Sequence, residues 1–457
     1  MADNVLIIGA GISGLTAGCL LTDAGVPFKI LEARAVPGGR IRTVRAPVFD
    51  DDLYVEFGGE YVPNIHYRLA AYLFRFKIEV MPVTRSFCLQ KIILFRGRRA
   101  FSRLSPSGRT YVWPHGFPGS KADKAPGDME NDFIGKFLTI VGDPWDAGWP
   151  DASIYKYDQM SVADLLQQQH ATPDEVALIQ LGLNSLDGEG FAVDSALEHI
   201  ADGVGFRGFQ TSGSIAGGSD TLPRAMAQFL APHIEYKAPV HAITSAKTGY
   251  TVSYGDGKTA TCTHLIVAVP FSVLRKITFT PELPMKTAQV IAQQRNTSVT
   301  RTFLQFKERV WEDMGLNGAA DTDQQVMGIY PGVPTKSSRG ILESYTAGEF
   351  ARQLAALPEL ERVQVVLEQM DRVIPGVARL YEKKYASVCW DKEPWAFGAY
   401  AFYEKGEMST LYPNAATAVE RIHFAGDHTT PQPGWMDSAI RSGERAAREV
   451  MVQIGCP

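Results

Sequence analysis

Hydrophobic positions fall into short β-branched runs near both ends of the chain, with helical and alternating patterns between them. Val5-Leu6-Ile7-Ile8 is apolar at every position, as expected of a strand buried on both faces in a parallel sheet. A helix of small residues follows and ends near Gly25, and residues 28–31 read as a second strand. Residues 68–73 predict a helix, and residues 88–101 alternate like a hairpin whose Lys91, Arg96, Arg98 and Arg99 form a solvated face. Residues 105–132 are rich in glycine, proline and polar side chains, which predicts a long loop of the kind used as a lid or binding loop. Ser161 can cap a helix over 162–169, and Pro173-Asp174-Glu175 can open another through 183. Further on, a helix over 223–230 precedes strands at 240–243, 250–254, 265–269, 301–306 and 340–345. An amphipathic helix over 358–373 is stopped by Pro375. No internal repeat is present.

The first strand runs into Gly9-x-Gly11-x-x-Gly14, and the second ends at Glu32. This order suits a dinucleotide. One glycine allows the tight turn, the next lets backbone approach a pyrophosphate, and the third lets helix pack on strand. The helix start, with Ile12 and Ser13, turns partial positive charge on the phosphates. Glu32, flanked by Ala33 and Arg34, can accept from ribose hydroxyls. The bland alternative is a glycine-rich packing turn.

A second turn, Gly38-Gly39-Arg40, follows the acid directly and offers a pyrophosphate further backbone donors and a guanidinium. At the far end His423-Phe424-Ala425-Gly426-Asp427 precedes Gly434-Trp435-Met436-Asp437-Ser438-Ala439, a strand, a small turn with an acid, then a helix. Together these motifs resemble the flavin-dependent amine oxidase superfamily, which includes monoamine, polyamine and L-amino acid oxidases, and the resemblance spans the whole chain.

That resemblance implies an α/β protein in which an FAD-binding Rossmann-like domain of the glutathione-reductase / p-hydroxybenzoate-hydroxylase type (residues 1–85, 214–285 and 390–457) interleaves with an α+β substrate-binding domain (86–213 and 286–389). It implies FAD as the cofactor, with its ADP half on the first motif and its ring under the last helix near Gly426, Asp427, Trp435, Met436 and Ser438. Gly58 and Gly59, with Glu60 and Tyr61, would lie beside the flavin ring, the backbone near Val240 against adenine, and Trp395 nearby. A hairpin turn is the local alternative for the glycine pair. Pro270-Phe271-Ser272-Val273-Leu274-Arg275-Lys276-Ile277-Thr278-Phe279 looks like the segment whose lysine holds a water against flavin N5, so Lys276 is the implied catalytic cation; a surface lysine is the alternative. Where monoamine oxidases carry a cysteine bound to FAD, this chain has Ala399, so FAD should be held non-covalently. Tyr400 and Trp435 match the two aromatic residues that face each other across the flavin, although either alone is commonly a core residue.

Composition narrows the partners. At 457 residues and 45% apolar content the chain can bury a large core. A net charge of −5 without a basic patch argues against nucleic acid. Five scattered cysteines without metal spacing suit a reducing compartment. No signal peptide or apolar run of about 20 residues is evident, so a cytoplasmic enzyme without a membrane anchor is expected. Assembly as a homodimer is left open.

The chemistry implied is hydride removal from the carbon bearing nitrogen, with an imine product and O2 reduced to hydrogen peroxide. A dry aromatic cavity would favour the neutral amine that the step needs. An L-amino acid would also need a buried cation for its carboxylate, and Arg85, Arg207 and Arg301 are the candidates. Glu60 could instead attract a second cationic group of a diamine. Amines are the first expectation and L-amino acids the second. A dehydrogenase or desaturase using another acceptor, and a flavoprotein scaffold without turnover, remain as readings from other classes.

Overall fold

The computed structural model describes residues 4–50, 52–82, 89–105, 108–183, 187–333 and 337–456. The fold is mixed α/β. Strand β1 (Val5–Ile8) pairs in parallel with β2 (Phe28–Leu31) on one side and with His264–Val267 on the other. Ile234–Glu235 and Ile422–Phe424 complete a five-stranded parallel sheet. The central strand β1 is buried at every position, so Val5–Ile8 is apolar throughout rather than alternating, while Lys29 and Glu235 fall toward one edge of the sheet.

Helix α1 (Ile12–Asp23) returns from β1 to β2 and is buried along most of its length, which explains its run of small and apolar residues. It packs against the last helix of the chain, Met436–Gln453. The two approach so closely that a Cβ on Gly443 would lie 2.2 Å from the Ser13 carbonyl oxygen.

A second, eight-stranded sheet is built from Gln90–Phe95, Arg98–Ser105 and Gly108–Val112 together with strands between Val299 and Cys389. Its pairs are antiparallel except where Leu316–Thr322 runs beside Gln90–Phe95. Two elements position side chains used below: helix α2 (Ala196–Gly205), capped by the Ser195 hydroxyl, and strand β3 (Val299–Phe306) of the large sheet. The last helix is called α3 from here on.

Local signals mark most elements well. Ser161 forms a reciprocal capping box with Asp164 at the head of Val162–Gln168, and Pro358 directly precedes Glu359–Val373. The expectation of one long loop over 105–132 is corrected: Gly108–Val112 pairs with Arg98–Ser105, with Tyr111 buried, and a helix opens at Pro126. Five residues between glycine- and proline-rich stretches are too few to stand out as a strand. Among the described residues no helix is long and apolar enough to cross a membrane.

Candidate active site

One cavity of about 530 Å3 runs from the start of α1 to α2, and both sheets contribute to its walls. At its first end the backbone does the positioning. Gly9 adopts φ +103°, in the left-handed region, and a Cβ there would lie 2.9 Å from the Ala268 carbonyl oxygen. Gly11 faces open space, with nothing within 4 Å of where a Cβ would stand, and it lines the cavity with Ile12 and Ser13. Glu32 accepts from the Ala10 amide at 2.7 Å and from the Arg34 amide at 2.8 Å, which fixes its carboxylate at the cavity edge. Burial pushes its pKa up, and those two amides oppose the shift. Ala33, Arg34, Gly39 and Val240 complete this end.

Arg40 joins the two ends of the sequence. It donates to the Asp427 carboxylate and to the Ala399 carbonyl, and the second Asp427 oxygen accepts from the Gly434 amide at 2.9 Å. Burial alone would raise the Asp427 pKa, but Arg40 and the Gly434 amide outweigh it and hold the carboxyl below its ordinary range. The glycine pair sits against this clamp. A Cβ on Gly58 would lie 1.6 Å from the Arg40 carbonyl oxygen, and one on Gly59 would lie 3.1 Å from the Met436 side chain. His428 also lines the cavity, only 2% exposed, and neither ring nitrogen has a protein partner. Burial lowers its pKa to about 4, so it is neutral and offers one donor and one acceptor. A glycine cradle at a helix start, a fixed carboxylate and an unpaired buried imidazole fit a dinucleotide cofactor that brings its own polar groups.

The middle of the cavity is aromatic. Tyr400 and Trp435 both line it, as do Tyr345 and Phe402, and Gly434 brings the two walls together by lying 3.4 Å (measured from a Cβ there) from the Tyr400 ring. The Trp435 indole donates to Asp202 at 3.2 Å and packs edge-on against His66 and Phe206.

Beside these rings lies Arg301, on β3. It donates to both oxygens of Glu343, to Glu60 at 2.8 Å and to the Gly58 carbonyl at 2.8 Å. Burial alone would lower its pKa, but the two glutamates reverse the shift and keep it a cation. Glu343 is pushed up to about 7 by burial, against the pull of Arg301.

The far end is acidic. Asp187, Asp194, Glu198 and Asp202 line the cavity, the last two one turn apart on α2. His199 is shared between Asp187, at 2.8 Å, and Glu130; these carboxylates overcome the effect of burial and keep it charged. Glu198 accepts from the Tyr403 amide at 2.7 Å. Burial and the Asp187 charge push Asp202 up to about 7.

Sequence-singled residues therefore divide. Nearly all of the expected cofactor residues line this one cavity, including Tyr61, Trp395 and Gly426. Gly14 and Ser438 do not. Gly14 packs on the Gly9 carbonyl, and Ser438 lines a second cleft behind Trp435. Lys276 is not among the residues that line the cavity. The short helix Phe271–Leu274 turns the chain so that Val273 and Ile277 face the cavity, while Lys276 is exposed with its ammonium 3.5 Å from the centre of the Phe397 ring. Of the three arginines considered for a carboxylate, Arg207 is exposed and lines only the second cleft, Arg301 is in the cavity, and Arg85 lies outside the described residues. The acidic group on and before α2 was missed. Its only sequence signal is Glu198 and Asp202 at i and i+4, a spacing usual for a solvated face.

The pattern of the family described as flavin containing amine oxidoreductase matches residues 12–451. A putative L-amino-acid oxidase, YobN, of Bacillus subtilis is 28% identical over 98% of this chain and 94% of its own length. The L-amino-acid oxidase of Gloydius halys is 26% identical over 98% and 88%. Among solved structures, putrescine oxidase bound to putrescine has a TM-score of 0.83 at 23% identity, covering 99% of each chain. Cyclohexylamine oxidase from Brevibacterium oxydans has a TM-score of 0.85 at 20% identity, covering 100% of both. These structures share the fold. With the family pattern spanning nearly the whole length, the chain belongs to the flavin-containing amine oxidoreductase family.

Proposed function

We propose that this enzyme holds FAD non-covalently and oxidises amines that lack an α-carboxylate, with O2 as the final acceptor. The ADP half would lie on the Gly9–Gly14 turn, with ribose hydroxyls on Glu32, and the isoalloxazine ring near Gly58, Gly59 and Met436. A Rossmann-like FAD domain over 1–85, 214–285 and 390–457 is consistent with the parallel sheet, whose strands all fall in those segments; the strands of the large sheet all fall in 86–213 and 286–389. Ala399 lies at the position implied for a covalent cysteine, and no cysteine lines the cavity among the described residues, which supports non-covalent binding.

When bound, the flavin supplies a two-electron acceptor for the hydride that leaves the carbon next to nitrogen, and returns those electrons to oxygen. The protein's share is orientation and drying. Tyr400 and Trp435 would flank the reacting nitrogen, and a wall of rings disfavours the ammonium relative to the neutral amine. Asp202 fixes the indole through its ring N–H. Water then hydrolyses the released imine to a carbonyl compound and ammonia or a smaller amine.

The observation that carries the choice of amine is that, among the described residues, every arginine and lysine lining the cavity already has a protein partner. Arg34 donates to the Gly39 carbonyl, Arg40 to Asp427, Lys91 to Asp321, and Arg301 to two glutamates and a carbonyl. Among the described residues, a carboxylate carried into this space would find no cation that is not already paired, a cost of several kcal/mol. The second reading, oxidation of L-amino acids, is favoured by the names of the curated relatives. Anaerobic flavin reduction separates the two. n-Pentylamine and 1,5-diaminopentane differ from L-norleucine and L-lysine only by the α-carboxylate. The amines are expected to win in kcat/KM by about 100-fold, equivalent to about 3 kcal/mol. Faster reduction by the carboxylated pair would overturn the amine reading.

A further inference from the structure

Apart from Asp202, which holds the Trp435 indole, hydride removal makes no use of the acidic end of the cavity. Asp194 is 3% exposed, and neither of its carboxylate oxygens has a hydrogen-bond partner, although the Gly190 amide lies near enough to draw its pKa down; Asp187 Oδ2 is also unpartnered. Buried carboxylates are ordinarily satisfied, because an unpaired one has lost its water and gained nothing. The neighbours cannot help. His199 is taken by Asp187 and Glu130, and the Tyr403 amide by Glu198. Two contacts put this group directly behind the aromatic walls: Asp202 holds the Trp435 indole, and the Gly188 backbone presses on Tyr400, whose hydroxyl would be 2.7 Å from a Cβ there.

We propose that Asp194, with Asp187, Glu198 and Asp202, is a subsite for a second positively charged nitrogen of the substrate, so that the enzyme prefers diamines to monoamines. This rests on the amine reading above and extends it. An ammonium brings three donors and no acceptor, which matches oxygens that lack donors. Among the described residues no group of three or more His, Cys, Asp or Glu side chains is drawn together to hold a metal ion, so the acids are spread for an alkylammonium rather than converged on a bare cation. Without a ligand, burial and the charges of Asp187 and Glu189 raise Asp194 well above the ordinary carboxyl range, and burial and Asp194 raise Glu198 in the same way, which favours their protonated forms. A cation entering the subsite should therefore release protons to solvent.

The test uses holoenzyme and the same four compounds. Wild type should reduce its flavin with 1,5-diaminopentane about 30-fold more efficiently than with n-pentylamine, mainly through KM. Asp194→Asn should cut that ratio about tenfold, the effect of losing one charge-assisted contact. Asp202→Asn serves as a second variant, and flavin absorbance reports folding of both. Calorimetric titration into dithionite-reduced holoenzyme, where no turnover can occur, in buffers of different ionisation enthalpy should show more protons released by 1,5-diaminopentane than by n-pentylamine, whose single nitrogen both compounds share. Equal efficiency for the two amines in wild type, or an unchanged ratio in both folded variants, would overturn the subsite while leaving the amine reading intact. If only the amino acids reduce the flavin, the amine reading has failed, and the ratio of L-lysine to L-norleucine then decides the subsite in the same way.

Discussion

At the cofactor end of the cavity, backbone holds side chains. Glu32 rests on two amide N–H groups, Asp427 takes a third, and glycines set the spacing. At the substrate end, side chains hold one another: Arg301 with Glu60 and Glu343, His199 with Asp187 and Glu130, Asp202 with Trp435. The difference has physical consequences. An amide donor cannot be mutated away or titrated, so the first end should keep its shape across pH and substitution. A network of buried charges depends on every member and on its protonation state, since removing one partner strands the other.

The largest effect is therefore expected at Arg301. Arg301→Met leaves Glu60 and Glu343 facing each other without a cation, and should cost about 3–5 kcal/mol of stability, read as a fall in thermal midpoint of the holoenzyme. Adding Glu343→Gln removes one stranded charge and should return a large part of that loss. If the single variant melts like wild type, the two ends do not differ in the way described. Glu32→Gln is the matching change at the cofactor end. It keeps one acceptor oxygen but turns an amide N–H2 toward a backbone donor, for an expected cost of about 1–3 kcal/mol. That should appear as a rise in the FAD dissociation constant of roughly 10- to 100-fold with little change in the substrate ratio.

How much of this was legible in the sequence follows the same division. Backbone-held geometry is written in adjacent residues. The Gly9–Gly14 turn, Glu32, Arg40 and the Gly434-Trp435-Met436 stretch each announce themselves within a short window. Side-chain networks are written at long separation: Arg301 meets Glu60 across 241 positions and Glu343 across 42. Nothing local marks Arg301, which sits in a strand buried at every position. The acidic residues of α2 look like an exposed stripe until the fold turns them onto an internal cavity. Likewise the 108–112 strand is too short, between turn residues, to stand out from a loop.

A pH series sharpens the comparison. Asp202 titrates near 7 because burial and Asp187 raise it, while the Trp435 N–H and His199 pull it back. A raised carboxyl is protonated below that pH, so its attraction for a cation is lost as pH falls through 7 and present above it. The diamine-to-monoamine ratio of kcat/KM should then rise by up to about tenfold between pH 6 and 8, about 1.4 kcal/mol for one ionised contact. Taking the ratio cancels the titration of the reacting nitrogen, which both substrates share. FAD affinity should stay nearly flat over the same range, because the cofactor end is held by amides.

The smallest effect is expected at Lys276, and it decides between motif spacing and geometry. The distance from Pro270 to Lys276 and the Ile-x-Phe that follows match the segment expected to present a lysine to flavin N5. The helical turn Phe271–Leu274 instead sends Val273 and Ile277 inward and leaves the ammonium over the Phe397 ring at the surface. An exposed cation–π contact is worth about 0.5–1 kcal/mol. Lys276→Met should therefore lower stability by no more than that and leave reoxidation of the reduced flavin by oxygen within about twofold of wild type. Stopped-flow mixing of reduced holoenzyme with oxygenated buffer measures it directly. A tenfold slowing would mean that Lys276 reaches the cavity after all. It would then assign the charge beside the flavin to the residue that motif spacing selected.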